Sequence, residues 1–448
     1  MEKLPLPTST AFLTDHYELT MLDALVQSGN VDNRSVFEVF VRELPLGVPF
    51  GVFAGSGTLA ESIKKFSFTD GQLNFLSSKN LVSDDTVRWL SKYNFSGDIL
   101  TYREGELYFP NSPVMTIEGG LGEVLVLETL ILSILNHASS VATAAARIAE
   151  AANGKLVMEA GSRRIHPESA VHAARAAYLG GIDATSNLEA GLRWGIPTIG
   201  TASHAFTLSY SSESEAFNAQ EEFMGSNSIF LVDTYDIAQG IQNAVEATGG
   251  KLKGIRLDSG DLETEASLAR GLLDELGANE AQIMVSGDLD EYRIQELCAA
   301  PIDAFESGHR LVTGSGAPSA GFVYKLVEIE DNLKAKGQMR AVAKTSKGKE
   351  SVGGKKHAKR LLSNEAIAME EILISGPGAF DVPLKKNERH LQAPLCIRGN
   401  FVDDWELDRA REHLQITIEE VPKEIRLRKD GPPAIPTKNL NANEVSWV

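Results

Sequence analysis

Seven short apolar runs punctuate the middle of the chain, and each closes on glycine or polar residues. They are Lys155–Ser162 (KLVMEAGS), Gly181–Ser186 (GIDATS), Thr198–Phe206 (TIGTASHAF), Ser228–Thr234 (SIFLVDT), Gly254–Asp261 (GIRLDSGD), Gln282–Asp288 (QIMVSGD) and Asp303–Arg310 (DAFESGHR). Stretches of helical periodicity separate them. His166–Leu179 is rich in alanine behind Pro167, a residue suited to a first helical turn, Asp236–Ala247 and Leu262–Leu276 are amphipathic, and Leu289–Ala300 reads as another helix. This alternation predicts an α/β fold built on an irregular, TIM-like parallel barrel, with its chemistry at the C-terminal ends of the strands.

The flanking patterns differ. In residues 1–150, Thr14–Leu25 reads as a helix, Val36–Val41 as a strand, and Gly47–Gly57 as a glycine-rich loop. Asp98–Tyr102 and Glu106–Phe109 read as a strand pair about Gly105, and Leu121–Ala151 as a long helical region interrupted near Asn136–Ser140. These elements predict an N-terminal α/β domain over 1–150, a barrel over 151–345 and a C-terminal segment over 346–448 that packs back on one of them. The Lys- and Gly-rich stretch Lys334–Arg360 reads as an exposed hairpin or loop.

Composition narrows the function. A formal net charge of -18 argues against nonspecific nucleic-acid or anionic-membrane binding, which needs a basic face. Cys298 and Cys396 are the only cysteines, too few for a disulfide framework or a Cys-based zinc site, so a cytoplasmic protein is expected. The longest apolar run, around Val124–Leu135, contains Glu128 and Thr129 and reads as a buried helix.

Candidate chemistry sits at the strand ends. Arg163 and Arg164 follow one run and precede a helix start, a placement that suits a phosphate or diphosphate as well as a surface ion pair. His204, among small residues, reads alone as a core histidine; at a barrel strand end it can also serve as acid, base or nucleophile. In Arg256–Asp261, the arginine could hold a substrate carboxylate, and Asp258 and Asp261 could bind ribose hydroxyls or Mg²⁺; the same residues also make a tight turn before the next helix. Ser286, Gly287 and Gly308 supply small residues for a backbone phosphate cradle. Thr313–Gly316 is glycine-rich but matches neither the Walker A pattern nor the dinucleotide fingerprint.

Taken together, these blocks resemble the nicotinate phosphoribosyltransferases of the type II phosphoribosyltransferase group. The resemblance runs through Leu13–Met21, Phe37–Leu44 with Arg42, Gly51–Gly55, Leu127–Ala142, Gly161–Arg164, Tyr178–Asn187, Gly200–Phe206, Gly254–Leu262 and Leu311–Val327. It implies transfer of a phosphoribosyl group from 5-phosphoribosyl 1-diphosphate to nicotinate in NAD salvage. ATP is implied as co-substrate, coupled through a phosphohistidine at His204, and Mg²⁺ as cofactor. Tyr17 and Thr201 fall at positions that line the nicotinate pocket, Arg256 at the arginine that contacts nicotinate, and Arg163 and Arg164 at the diphosphate. Asp258 and Asp261 fall where ribose hydroxyls and Mg²⁺ are expected. A homodimer with active sites near its interface is implied as well.

One block departs from the family pattern. Where a Gly-x-Gly-Thr phosphate turn is usual, this chain reads Glu306-Ser307-Gly308-His309. Glu306 should repel a 5′-phosphate unless it points away or pairs with Arg310, and His309 could replace the lost hydroxyl donor. The departure keeps two other functions in view, a nicotinamide-type transferase and a catalytically weakened, nucleotide-binding sensor.

Overall fold

The computed structural model describes residues 9–225, 228–331, 337–346, 351–402 and 405–444. The chain folds as two units, Met1–Ser140 with Ser319–Val448, and Val141–Pro318.

The second unit is built on six parallel strands, numbered here in chain order: β1 (Leu156–Glu159), β2 (Ala184–Thr185), β3 (Ile229–Leu231), β4 (Gly254–Leu257), β5 (Gln282–Gly287) and β6 (Ala304–Ser307). They lie in the order β2-β1-β6-β5-β4-β3, a parallel half-barrel. Because side chains alternate across a strand, Val157, Ile255, Leu257, Ile283, Val285 and Phe305 share one face and are buried. The other face carries Met158, Met284 and Ala304, which pack together. The pairings Arg256–Met284, Ser286–Glu306 and Glu306–Met158 bring polar residues of neighbouring strands to that same face near the strand ends.

Two expectations fail here, one in this unit and one on the helix that leads into it. Thr198–Phe206 is not a strand: Thr198 makes a single bridge to Thr185, and His204 begins the helix His204–Leu208. Pro197 has no N–H to give a ladder, and its carbonyl accepts from Thr185 N instead. The helix break expected at Asn136–Ser140 is also absent. Glu128–Ala152 runs through these residues unbroken, and the interruption lies just after Leu121–Leu125. Asn136 and Ser139 are polar for tertiary reasons: Asn136 Oδ1 accepts from Phe322 N at 2.8 Å, and Ser139 Oγ donates to Ala54 O at 3.1 Å. The combined helical stretch Leu121–Ala152 is apolar and long enough to cross a membrane, but 61% of its most apolar window is buried within the protein.

The first unit holds a seven-stranded antiparallel sheet. Its order is Met339–Ala341, Val323–Glu330, Arg34–Phe40, Met115–Gly120, Asp98–Tyr102, Gln392–Ile397, Asn400–Phe401. Asp98–Tyr102 and Leu107–Tyr108 do not pair with each other; the first lies between Met115–Gly120 and Gln392–Ile397, and the second pairs with Gly51–Val52. Strand Val323–Glu330 was expected within the barrel over 151–345. It instead pairs with Arg34–Phe40, where Phe37 and Tyr324 stack with ring centroids 4.7 Å apart.

A second, four-stranded sheet contains Lys356–Leu362, the end of the stretch expected to be an exposed loop. Lys356, Lys359 and Arg360 are buried because each meets carboxylates: Glu38 at 2.7 Å, Glu388 at 2.7 Å, and Glu106 and Glu371 at 2.7 Å each. Residues 334–336 and 347–350 of that stretch lie outside the described residues.

Candidate active site

At the strand ends of the second unit lies a cleft of about 570 Å³. Arg163 and Arg164 line it from the short turn after β1, Asp258 from the end of β4, Ser286 and Gly287 from β5, and Gly308 and His309 from the turn after β6. Ala160, Asp288 and Glu306 complete the lining. Seven of the residues singled out from the sequence therefore meet in one place. They do so because a parallel sheet delivers every strand end to the same edge.

Local chemistry fixes several of these positions. Gly161 precedes the arginine turn, and a Cβ there would fall 2.4 Å from Val312 Cγ1, so only glycine fits. Gly287 has φ +141°, and a Cβ there would meet nothing within 4 Å. Its exposed backbone can approach a ligand closely. Neither Arg163 nor Arg164 makes an ion pair among the described residues, and both are exposed.

Arg256 stands behind the cleft wall, its side chain 11% exposed. Its Nη1 donates to Thr201 Oγ1 and to Glu306 Oε2, the latter at 3.1 Å, and its Nη2 donates to Ala202 O at 3.2 Å. Its Nε is buried and has no partner. The guanidinium thus keeps the Nε–H and one Nη2–H uncommitted. Thr201 joins the site through this contact. Glu306 pairs with Arg256 rather than Arg310, which revises the expectation drawn from sequence. Just behind Glu306, burial pushes the Glu159 carboxyl above its usual range, and the Glu306 carboxylate adds to the shift.

His204 approaches the cleft through Asp258. Its Nε2 lies 3.8 Å from Asp258 Oδ2 and 3.9 Å from Asp233 Oδ1, and its Nδ1 lies 3.2 Å from Thr234 Oγ1. Asp258 also accepts from Ser286 Oγ, and its backbone N–H donates to Asp233 Oδ2 at 2.9 Å. Asp233 is the residue that sequence reasoning missed. It ends the run SIFLVDT just as Asp258 ends GIRLD, so the signal was the strand-end position itself. Its side chain is 1% exposed, and Oδ1 has no hydrogen-bond partner.

Asp261 of this unit does not line the cleft. Asp261 caps the next helix, with Oδ2 accepting from Thr264 at 2.9 Å and Oδ1 lying 3.9 Å from Arg293. Tyr17 belongs to the first unit, on the helix His16–Ser28, where partial burial and Glu128 push its phenol up to about 12. No group of three or more His, Cys, Asp or Glu side chains suited to a metal occurs among the described residues. The donor set fits Mg²⁺ only as an ion held by one or two carboxylates, Asp258 and Asp288, with substrate oxygens and water supplying the rest.

Residues 12–136 match the model of the nicotinate phosphoribosyltransferase N-terminal domain, and residues 141–315 that of the quinolinate phosphoribosyl transferase C-terminal domain. A nicotinate phosphoribosyltransferase of Mycobacterium tuberculosis is 44% identical over 96% of this chain and 95% of its own. One from Bacillus subtilis is 38% identical over 79% of this chain and 74% of its own. Among solved structures, human nicotinic acid phosphoribosyltransferase superposes with a TM-score of 0.81 at 24% identity, covering 95% of this chain and 97% of that one. The nicotinate-nucleotide pyrophosphorylase of Pyrococcus furiosus superposes with a TM-score of 0.76 at 24% identity, covering 94% and 99%.

Proposed function

The chain belongs to the nicotinate phosphoribosyltransferase family and is an enzyme, and from that premise we propose that it joins nicotinate to 5-phosphoribosyl 1-diphosphate. In this reading the pyridine nitrogen attacks ribose C1 as the C–O bond to diphosphate breaks. The products are nicotinate mononucleotide and diphosphate, an entry into NAD synthesis.

One observation carries the reading. Arg256 is buried beside the cleft with Nε unpartnered, a donor edge suited to a carboxylate. A neutral amide there would forfeit a charge-assisted bond, typically about 1.5–3 kcal/mol. Arg163 and Arg164, exposed and without ion pairs among the described residues, receive the negative charge that builds on the departing diphosphate. The Gly287 backbone and His309 hold the 5′-phosphate, and Asp258 takes a ribose hydroxyl. Mg²⁺, when bound, neutralises diphosphate charge and orients the leaving group.

The reading extends to ATP. In this reading His204, which lies beside two carboxylates and a threonine hydroxyl, takes a phosphoryl group on an imidazole nitrogen, releasing ADP; hydrolysis by water then restores the ring. Its link to Asp258 offers a route from that charge change to the donor site. The reading also includes a homodimer in a reducing, ATP-containing compartment. In support of the dimer, Leu188, Leu192, Phe223 and Tyr235 of the second unit are 77%, 81%, 81% and 63% exposed.

The test is product analysis by mass spectrometry, with nicotinate, 5-phosphoribosyl 1-diphosphate and Mg²⁺, with and without ATP, beside a nicotinamide arm. Nicotinate mononucleotide formed faster with ATP supports transfer and coupling together, and His204→Asn should then abolish the ATP effect while leaving slow turnover. Product only from nicotinamide would move the chain to the amide-specific reaction. No product from either base would favour a nucleotide-binding sensor.

A further inference from the structure

Glu306 is an acid where the surrounding chemistry calls for donors. Its side chain is 8% exposed, it lines the same cleft as Arg163, Arg164 and His309, and its carboxylate meets Arg256 at 3.1 Å. Two effects of opposite sign follow from this one position. On the Arg256 side, the Glu306 contact on Nη1, together with Thr201 and Ala202, fixes the plane of the guanidinium and leaves its Nε edge uncommitted. On the cleft side, a carboxylate beside bound phosphate repels it, and low solvent exposure limits screening.

We propose that Glu306 is a positioning and specificity residue that couples the two substrates: it holds Arg256 for the base carboxylate and at the same time limits affinity for the phosphate groups of the ribosyl donor. The proposal rests on the reading of Arg256 as the carboxylate-binding residue. A donor is thereby bound more weakly than the arginines alone would allow. The acidic wall also disfavours occupation of the cleft by inorganic phosphate or diphosphate, the second of which is a product of the reaction.

Two variants separate geometry from charge. Glu306→Gln keeps an amide oxygen that can accept from Arg256 Nη1 but removes the charge. Glu306→Gly removes both. Binding is measured by titration calorimetry on the full chain, with 5-phosphoribosyl 1-diphosphate plus Mg²⁺ in one series and nicotinate in another, and KM values are taken for both substrates. Both variants should bind the donor about three- to tenfold more tightly than wild type. For nicotinate they should diverge: Glu306→Gln equals or exceeds wild type, while Glu306→Gly weakens at least threefold. Melting curves report whether each variant is folded, and Glu306→Gln decides the charge effect should the glycine variant fail to fold. Unchanged or weaker donor binding in Glu306→Gln overturns the proposal, as does equal nicotinate affinity in the two variants. Wild type that binds the donor but not nicotinate sinks the functional reading, and the role of Glu306 with it. Wild type that binds both while the variants match it overturns only the role of Glu306.

Discussion

Arg360 in the first unit and Arg256 in the second are both largely buried arginines whose Nε has no partner, and the difference lies in what their Nη groups have left to offer. Arg360 meets four acceptors: Glu106 and Glu420 from Nη1, Glu371 and the Leu107 carbonyl from Nη2. Its guanidinium carbon also sits 5.1 Å from the centroid of the Phe109 ring. Arg389 and His413 add to the same carboxylates, and this network, with its cations beside it, holds the Glu106 carboxyl well below the usual range. Arg256 stands behind the cleft wall and meets three acceptors, which leaves one Nη2–H uncommitted beside Nε. An arginine that closes a network holds a fold together, whereas one that keeps an edge open can hold a ligand.

Breaking the closed network should have the largest effect. Arg360→Ala would take a shared cation from three buried carboxylates, and removing one partner of a buried ion pair costs about 3–5 kcal/mol. Against a total stability of about 5–15 kcal/mol, that is a large share of the margin. Denaturant unfolding should show the loss, and a midpoint close to wild type would refute it. The matching change at the open arginine should lose the reaction at a smaller cost to the fold, because it unpairs one carboxylate, Glu306, rather than three. Arg256→Ala should lower kcat/KM for nicotinate by about 10- to 100-fold, the equivalent of one charge-assisted contact, with a smaller fall in melting temperature than Arg360→Ala. A variant that loses both equally would erase the distinction between the two arginines.

The smallest expected effect is a pH dependence in the first unit. Burial, with His390 and Lys359 nearby, pushes the imidazole of His357 down to about 4. Above the ordinary histidine value of about 6.5, both folded and unfolded chains leave it neutral and it contributes no pH dependence. As pH falls from there toward about 4, the unfolded chain takes up a proton that the folded chain refuses, so stability drops. Thermal melts of His357→Gln between pH 7 and pH 4 should therefore fall less steeply than those of wild type. Parallel curves would show that His357 titrates normally in the folded protein.

The half-barrel was legible because its strands are short buried runs with polar ends, a pattern that local sequence carries. The same pattern placed Arg163, Asp258, Ser286 and His309 together. It erred at Thr198–Phe206, where small apolar residues looked like another strand but Pro197 interrupts the backbone donors. It erred at Lys356–Arg360, because a lysine-rich stretch looks exposed until its carboxylate partners are known, and Glu38 and Glu106 lie far away in sequence. Asp233 was passed over because one aspartate at a run's end is unremarkable until a histidine is found beside it. The partner of Glu306 was equally hidden: Arg256 lies two strands away, beyond β5, and only the sheet order reveals the pair.

The sheet of the first unit has a bearing on how the protein is made. Strand Arg34–Phe40 needs Val323–Glu330 as its neighbour, and the contact from Arg34 N to Glu330 spans 296 residues. Synthesis runs from the N-terminus, so the early strands leave the ribosome long before their partner exists. Every strand of the half-barrel is complete in sequence by Ser307, before Val323 is added. The catalytic unit can therefore fold first, with the opening segment of the chain waiting, its strand edges unpaired, for the end of translation. Proteolysis of ribosome-stalled chains in which residue 318 has just left the exit tunnel should find residues 141–318 protected and residues 34–120 still open to cleavage.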